Sequence, residues 1–141
     1  MTCPVTDSFA IPVRVYYEDT DAGGIVYHVN YLKFMERART EYLRSTGYDH
    51  QKLLKEKKQL VVVDASVQFK QIAQLDDSLT VTAQVESMGK ARMTFLQKVW
   101  REDVLLCEGR FVVACLDSET RKPTAITESL RNKLSPDTNS S

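Results

Sequence analysis

The chain has 141 residues and 43% hydrophobic content without a linker-like tract, which predicts one domain with one core and excludes two domains. Its 19 basic and 19 acidic side chains cancel, so no global field attracts nucleic acid or an anionic membrane. Any phosphate-bearing ligand must therefore be held by a local basic patch. The apolar runs are far shorter than the roughly 20 residues of an integral membrane segment.

The N-terminus and the cysteines indicate a cytoplasmic protein. Residues 1–12 lack the basic start and apolar block of a signal peptide. Cys3, Cys107 and Cys115 are an odd number without a C-x-x-C pair, which argues against a disulfide framework and a zinc cluster. With only two histidines in the chain, we expect no metal site, and no cofactor is indicated.

The first predicted element is a half-buried strand over residues 11–18, because its apolar side chains share one parity. They are Val13, Val15 and Tyr17. A loop over residues 19–29 follows. Asn30 is then the predicted N-cap of a helix that ends at Gly47, because apolar residues recur at helical spacing between them. They are Tyr31, Phe34, Met35, Ala38 and Tyr42.

The second half of the chain changes to strand periodicity. A short helix over residues 50–57, capped by Asp49, precedes four segments rich in Val, Thr, Phe and Leu. They cover residues 60–70, 78–88, 91–101 and 104–117. The short breaks between them indicate hairpins, so the sequence predicts an α+β domain with an antiparallel sheet packed on one long helix. Residues 135–141 offer little to bury and are predicted to be a disordered tail, which leaves residues 1–134 as the domain.

The loop before the long helix concentrates polar chemistry. Residues 16–31 contain three carboxylates, two adjacent glycines and a histidine. A carboxylate on such a loop, facing the exposed N–H groups of a helix start, can attack a carbonyl or activate water against it while the helix stabilises the oxyanion. The spacing therefore predicts acyl transfer to water. The sequence contains no G-x-S-x-G elbow, phosphate-binding loop or G-x-G-x-x-G turn.

The same segment resembles the signature of the hotdog-fold acyl-CoA thioesterases, in particular the YbgC-like and 4-hydroxybenzoyl-CoA thioesterase group. The residues that carry the resemblance are Asp21, Gly24, Ile25, Val26, Tyr27, His28, Asn30 and Tyr31. The run from Arg14 to Tyr42 is most similar to the YbgC-like branch. The resemblance implies a hotdog fold, in which the sheet wraps around the long helix. It also implies a homodimer or homotetramer with the site between subunits.

The resemblance implies that Asp21 is the catalytic carboxylate, acting as nucleophile or as general base on water. The neighbouring Glu18 and Asp19 are interpreted as solvated or structural groups. Gly24 and Tyr27 are expected to position the loop and the oxyanion. His28 is expected to contribute to catalysis through its backbone N–H or through its imidazole, and both alternatives stay open.

Two further sets of residues are candidates for substrate binding. Tyr31 and Phe34 are interpreted as core residues first and as lining of an acyl pocket second. Cations for the phosphates of coenzyme A are expected near two turns. They are Lys90, Arg92, Arg121 and Lys122.

The predicted function is hydrolysis of an acyl-CoA, with short-chain aliphatic substrates favoured by the resemblance. Aromatic acyl-CoA of the 4-hydroxybenzoyl type is the main alternative substrate, and carrier-protein thioesters are a third. The non-enzymatic alternative is a hotdog module that binds acyl carrier protein or phospholipid-synthesis enzymes at the cell envelope. A dehydratase of the same fold is disfavoured, because it would carry its histidine in a different loop and its carboxylate on the long helix.

Overall fold

The computed structural model describes residues 9–134, which form one five-stranded sheet and three helices. The elements are β1 (Phe9–Arg14), α1 (His28–Ser45), α2 (His50–Lys55), β2 (Lys58–Phe69), β3 (Ser78–Met88), β4 (Arg92–Arg101), β5 (Val104–Asp117) and α3 (Glu128–Leu134). The strand order is β1-β3-β4-β5-β2, and every neighbouring pair is antiparallel. The predicted α+β class is confirmed, and the predicted tail lies outside the described residues.

The core lies between α1 and one face of the sheet. The buried apolar side chains of α1 are Tyr31, Phe34, Met35 and Ala38, as the helical spacing predicts. On β4 the buried residues Met93, Phe95, Gln97 and Val99 alternate with less buried ones, which is the period of a strand with one face on the core.

A buried polar contact fixes α1 on the sheet. The side-chain amide of Gln97 donates to the backbone oxygens of Met35 at 2.8 Å and Thr82 at 3.1 Å. Its carbonyl accepts from Arg39 Nη1 at 2.8 Å, while the Arg39 guanidinium lies 4.6 Å from the centroid of the Phe111 ring. Burial disfavours the charged form of Arg39 and lowers its pKa. The hydrogen bond to Gln97 and the contact with the Phe111 ring offset this desolvation cost.

The predicted elements differ from the structure mainly in three places. The first strand ends at Arg14, and residues Tyr17–Asp19 form a 3₁₀ turn because the Asp19 carboxylate accepts from the Tyr16 N–H. The long helix begins at His28, so Asn30 is a buried residue of its first turn and not its N-cap. The helix α3 was not predicted.

The loop before α1 is held against the segment that follows β2. Thr20 forms a bridge with Val26, and Ile25 forms one with Gln74. The Val26 N–H donates to the Ala73 oxygen at 3.0 Å. The loop is therefore fixed between the start of α1 and residues 73–75. No helix within residues 9–134 is long and apolar enough to cross a membrane.

Candidate active site

Asp21 begins a tight turn that closes at Ile25, and one of its carboxylate oxygens stabilises this turn. Its Oδ1 accepts from the backbone N–H groups of Gly23 at 2.8 Å and Ile25 at 3.2 Å. Gly24 has a φ of +80°, a conformation that glycine adopts without strain. Within residues 9–134, both side-chain hydrogen bonds of Asp21 go to Oδ1. The half-buried carboxylate therefore keeps Oδ2 for another ligand.

Asp19 differs from Asp21 because both of its carboxylate oxygens are engaged. Oδ1 accepts from Asn30 Nδ2 at 2.8 Å, and Oδ2 accepts from the Tyr16 N–H at 2.9 Å. Asp19 thus ties the 3₁₀ turn to the first turn of α1. Glu18 is exposed. These placements agree with the structural or solvated roles expected of the two residues.

The start of α1 is not capped by a side chain. The N-cap residue Tyr27 makes no side-chain cap, and its own N–H donates to the Asp19 oxygen at 3.2 Å. Its carbonyl accepts from the Asn30 N–H at 3.0 Å. The N–H groups of His28 and Val29 have no acceptor among residues 9–134. Two donors at the positive end of an 18-residue helix are thus available to an anionic oxygen.

Gly24 and Tyr27 position the loop through their backbone groups. The Gly24 N–H donates to the Asp21 oxygen at 3.0 Å, and its carbonyl accepts from the Leu75 N–H at 3.0 Å. The Tyr27 N–H is likewise engaged. The N–H groups of Gly24 and Tyr27 are thus used within the loop. Of the three residues expected to position the oxyanion, His28 has the N–H that is available to bind it.

The His28 imidazole is stacked on a ring that the sequence did not single out. The ring of Phe69, the last residue of β2, lies 4.2 Å from the imidazole between centroids, at an interplanar angle of 17°. Phe69 also meets Tyr31 edge to face at 5.6 Å. Because these contacts join residues far apart in the chain, only the alternating pattern of β2 could have suggested Phe69, and that pattern does not identify its neighbour.

Tyr31 and Phe34 lie in the core beneath this stack. Both side chains are buried, and Tyr31 Oη accepts from the Ala73 N–H at 2.9 Å. Burial raises the pKa of Tyr31, so its phenol stays neutral at physiological pH. This agrees with the interpretation of the two residues as core, while their contact with substrate stays a prediction.

The four cations expected to bind coenzyme A lie far from Asp21 within one chain. They are Lys90, Arg92, Arg121 and Lys122. Lys90 precedes β4, Arg92 is its first residue, and the other two follow β5. All four are near the start of β2, where Lys58 pairs with Asp117. At the other end of β2, Phe69 pairs with Cys107. At about 3.3 Å per residue, the two ends of this strand are separated by roughly 36 Å.

Two other cations lie closer to the loop. Lys33 and Arg37, on the exposed side of α1, line a cavity of about 260 Å³. Its other lining residues are Glu18, Asp19, Asn30 and Phe34. The i, i+4 spacing of Lys33 and Arg37 on a predicted helix could have indicated them. Within residues 9–134, no group of His, Cys, Asp and Glu side chains is arranged to hold a metal ion.

The fold and the site define a hotdog domain of the thioesterase class, and the comparisons agree. A model of the thioesterase-like superfamily matches residues 15–134, and the chain belongs to this superfamily. It is 43% identical over 126 residues to the acyl-CoA thioesterase YbgC of Haemophilus influenzae, covering 89% of this chain and 93% of that protein. The identity to the acyl-CoA thioester hydrolase YbgC of Escherichia coli O6:H1 is also 43%, covering 89% and 94% of the two chains.

A solved structure shares the fold. The probable thioesterase of Bartonella henselae superposes with a TM-score of 0.79 at 31% identity, covering 84% of this chain and 98% of that one. The predicted hotdog fold and the predicted resemblance to the YbgC-like thioesterases are confirmed.

Proposed function

We propose that this chain hydrolyses acyl-CoA thioesters to a free carboxylic acid and coenzyme A, with Asp21 as the catalytic carboxylate. The observation that carries the proposal is that one loop contains both a carboxylate oxygen and backbone N–H groups without a partner among the described residues. Asp21 keeps Oδ2 outside its own turn, and the uncapped start of α1 keeps the N–H groups of His28 and Val29. The similarity to two YbgC proteins named for this activity supports the substrate class.

In the proposed reaction, the uncapped helix start and Asp21 have separate tasks. The thioester oxygen accepts from the His28 and Val29 N–H groups, which stabilise the negative charge of the tetrahedral intermediate. Asp21 Oδ2 attacks the carbonyl carbon or removes a proton from an attacking water. The leaving thiolate belongs to a thiol with a pKa of roughly 8.5, so little assistance from a general acid is needed.

The two routes for Asp21 differ in where solvent oxygen is incorporated. A single turnover in ¹⁸O-labelled water, with enzyme in excess, places the label in the Asp21 carboxylate if water opens a mixed anhydride at the aspartyl carbon. Direct attack of water places the label in the released acid, as does opening of the anhydride at the acyl carbon. Label in the Asp21-containing peptide, detected by mass spectrometry, therefore identifies the nucleophilic route.

We further propose that two chains pair through β2. This strand is at one edge of the sheet and exposes Val62 and Val63. An antiparallel pairing of two β2 strands about a two-fold axis brings the start of the partner's β2, with the nearby cations, to the Phe69 end of this chain. That arrangement supplies the coenzyme A phosphates with the candidate cations Lys90, Arg92, Arg121 and Lys122. Light scattering after size-exclusion chromatography tests the proposed dimer. A monomeric protein would exclude phosphate binding by the cations of a partner subunit.

The acyl group is proposed to be short and aliphatic, with aromatic acyl-CoA as the alternative. Carrier protein as a partner and the cytoplasmic location stay predictions from the sequence. A panel of short, long and aromatic acyl-CoA substrates, assayed by release of coenzyme A thiol, distinguishes the substrate classes. The buried thiols of Cys107 and Cys115 contribute little background, because burial raises the pKa of both, that of Cys107 to about 12.

Asp21→Asn is the first variant to assay. We expect kcat to fall by about 10²–10⁴-fold, the range that a positioned acid–base group contributes. The amide retains an oxygen that can accept from the Gly23 and Ile25 N–H groups, so the turn should persist. Glu18→Gln is the matched control, since it removes an exposed carboxylate from the same loop and should leave kcat unchanged.

Two outcomes would overturn parts of this proposal. An Asp21→Asn protein that folds and retains full activity would make Asp21 a structural turn residue. A wild-type protein that releases no coenzyme A from any substrate would favour the binding module predicted as the non-enzymatic alternative. Titration with an acyl carrier protein would then be the next measurement.

A further inference from the structure

Phe69 is a large apolar side chain held in place but left partly exposed beside the uncapped helix start. Its ring stacks on His28 at 4.2 Å and meets Tyr31 edge to face at 5.6 Å. Tyr31 is itself fixed by burial and by the hydrogen bond from the Ala73 N–H. Nevertheless, 41% of the Phe69 surface is accessible to solvent. A ring that is positioned on one side and uncovered on the other presents a defined apolar surface.

Two more exposed apolar side chains adjoin the same part of the molecule. Val29, in the first turn of α1, is 53% exposed, and Ile72, three residues beyond Phe69, is 50% exposed. Ile72 is held there because its carbonyl accepts from Arg101 Nη1 at 3.1 Å, and the next residue, Ala73, contacts Tyr31 and the loop. Residues from α1, from β2 and from the following segment thus bring apolar surface to the two free N–H groups.

We propose that Phe69 determines the length of the acyl chain that the site accepts. This inference rests on the proposed thioesterase function and deepens it. A thioester whose oxygen is bound by the N–H groups of His28 and Val29 extends its acyl carbons past the imidazole. Phe69 lies 4.2 Å from that imidazole, so its ring is the apolar surface that the carbons beyond the carbonyl meet.

The length dependence separates this role from simple packing. If the stack only orders His28, truncating Phe69 changes kcat/KM by one common factor for every acyl chain. If the ring limits the chain, truncation changes the ratio of kcat/KM between long and short chains. One methylene in an apolar pocket is worth about 10-fold or more in kcat/KM, so the ratio is a sensitive readout.

The test compares Phe69→Ala, Phe69→Leu and Phe69→Trp with wild type on straight-chain acyl-CoA substrates of increasing length. We expect Phe69→Ala to raise the long-to-short ratio of kcat/KM by about 10-fold or more, Phe69→Leu to raise it less, and Phe69→Trp to lower it. Leu54→Ala is the matched control, because Leu54 is 51% exposed on α2 and borders the candidate phosphate cation Arg121, not the His28 stack. It should leave the ratio unchanged.

A long-to-short ratio that stays within twofold of wild type in folded Phe69→Ala and Phe69→Trp would overturn the inference, even if both variants lose activity. Binding of uncleavable thioether analogues of the same chain lengths, measured by calorimetry, separates this failure from failure of the proposed function. A wild-type protein that is inert but whose preference among analogues shifts with residue 69 keeps the inference and loses the function. An inert protein whose preference is independent of residue 69 loses both.

Discussion

The two α-helices that precede β2, α1 and α2, differ in how their first N–H groups are satisfied. At the start of α2, the Asp49 carboxylate accepts from the Lys52 N–H at 2.9 Å, which is the usual N-cap. At the start of α1, the N-cap Tyr27 provides no side-chain acceptor. A cap contributes about 1 kcal/mol of stability. The longer helix therefore forgoes a stabilising contact that the shorter one uses.

Packing explains why α1 can forgo it. The six residues of α2 make fewer than two turns, a length that is marginal without a cap. The 18 residues of α1 bury Tyr31, Phe34, Met35 and Ala38 against the sheet, and Gln97 holds the Met35 carbonyl. Since packing fixes α1, the N–H groups at its start are not needed for stability. These N–H groups are therefore available for a ligand.

His28→Pro compared with His28→Ala tests that availability most directly, and among the changes at the two helix starts we expect the largest effect here. Proline is tolerated at the first position of a helix, and Tyr27, with φ −62° and ψ 143°, already has the extended backbone that a residue before proline prefers. Both variants lose the imidazole, but only His28→Pro loses the N–H. We expect kcat to be about 10²–10³-fold lower for His28→Pro than for His28→Ala.

Equal kcat values for the two variants would assign the role of His28 to its imidazole, or to neither group if both match wild type. Circular dichroism and thermal unfolding verify that both proteins fold. The matched pair thereby answers the question that the sequence left open, whether the backbone or the side chain of His28 acts.

The sequence predicted most of the fold because the strands and the long helix depend on local patterns. Residues 78–88 and 104–117 are rich in apolar strand formers and begin after the acidic pairs 76–77 and 102–103, and both strands form with the predicted bounds. The start of α1 was misplaced because Asn30 is a good capping residue by type. In the structure its side chain instead reaches Asp19, a choice that depends on the tertiary position of the loop.

The candidate site was predictable only in part for a similar reason. The resemblance located Asp21 and His28 in one loop, but the stack of His28 on Phe69 depends on where β2 ends. The four candidate cations could be recognised as charge clusters near turns. Their separation from Asp21 follows from strand order and register, which no local pattern in the chain specifies.

A second way to break the comparison is to give α1 the cap that it lacks. In Tyr27→Ser, the serine hydroxyl can accept from the Val29 or Asn30 N–H, as N-cap serines do. Tyr27→Ala is the matched control, since it removes the same ring without adding an acceptor. We expect Tyr27→Ser to be more stable than Tyr27→Ala by about 1 kcal/mol and to have a lower kcat, because the hydroxyl competes with the thioester oxygen.

Denaturant unfolding and steady-state kinetics on the two Tyr27 variants measure both quantities. A serine variant that gains stability without losing kcat would mean that the capped N–H group is not used in catalysis. If the serine variant matched Tyr27→Ala in both stability and kcat, the start of α1 could not accommodate a side-chain cap. The difference between α1 and α2 would then not depend on the residue at the N-cap.

Removing the cap of α2 is the reverse change and should have the smallest effect on activity. Asp49→Ala leaves the Lys52 N–H without its acceptor, so we expect the free energy of unfolding to fall by about 1 kcal/mol. Asp49→Asn retains an acceptor and should remain close to wild type. Because the hydrogen bond of the Asp49 carboxylate lies within α2, we expect kcat and the chain-length preference to be unchanged in both variants. Asp49→Ala would contradict this expectation only by lowering kcat as much as Tyr27→Ser does. In that case, the loss of activity in Tyr27→Ser would reflect general destabilisation of the fold. It would not show competition for a catalytic N–H group.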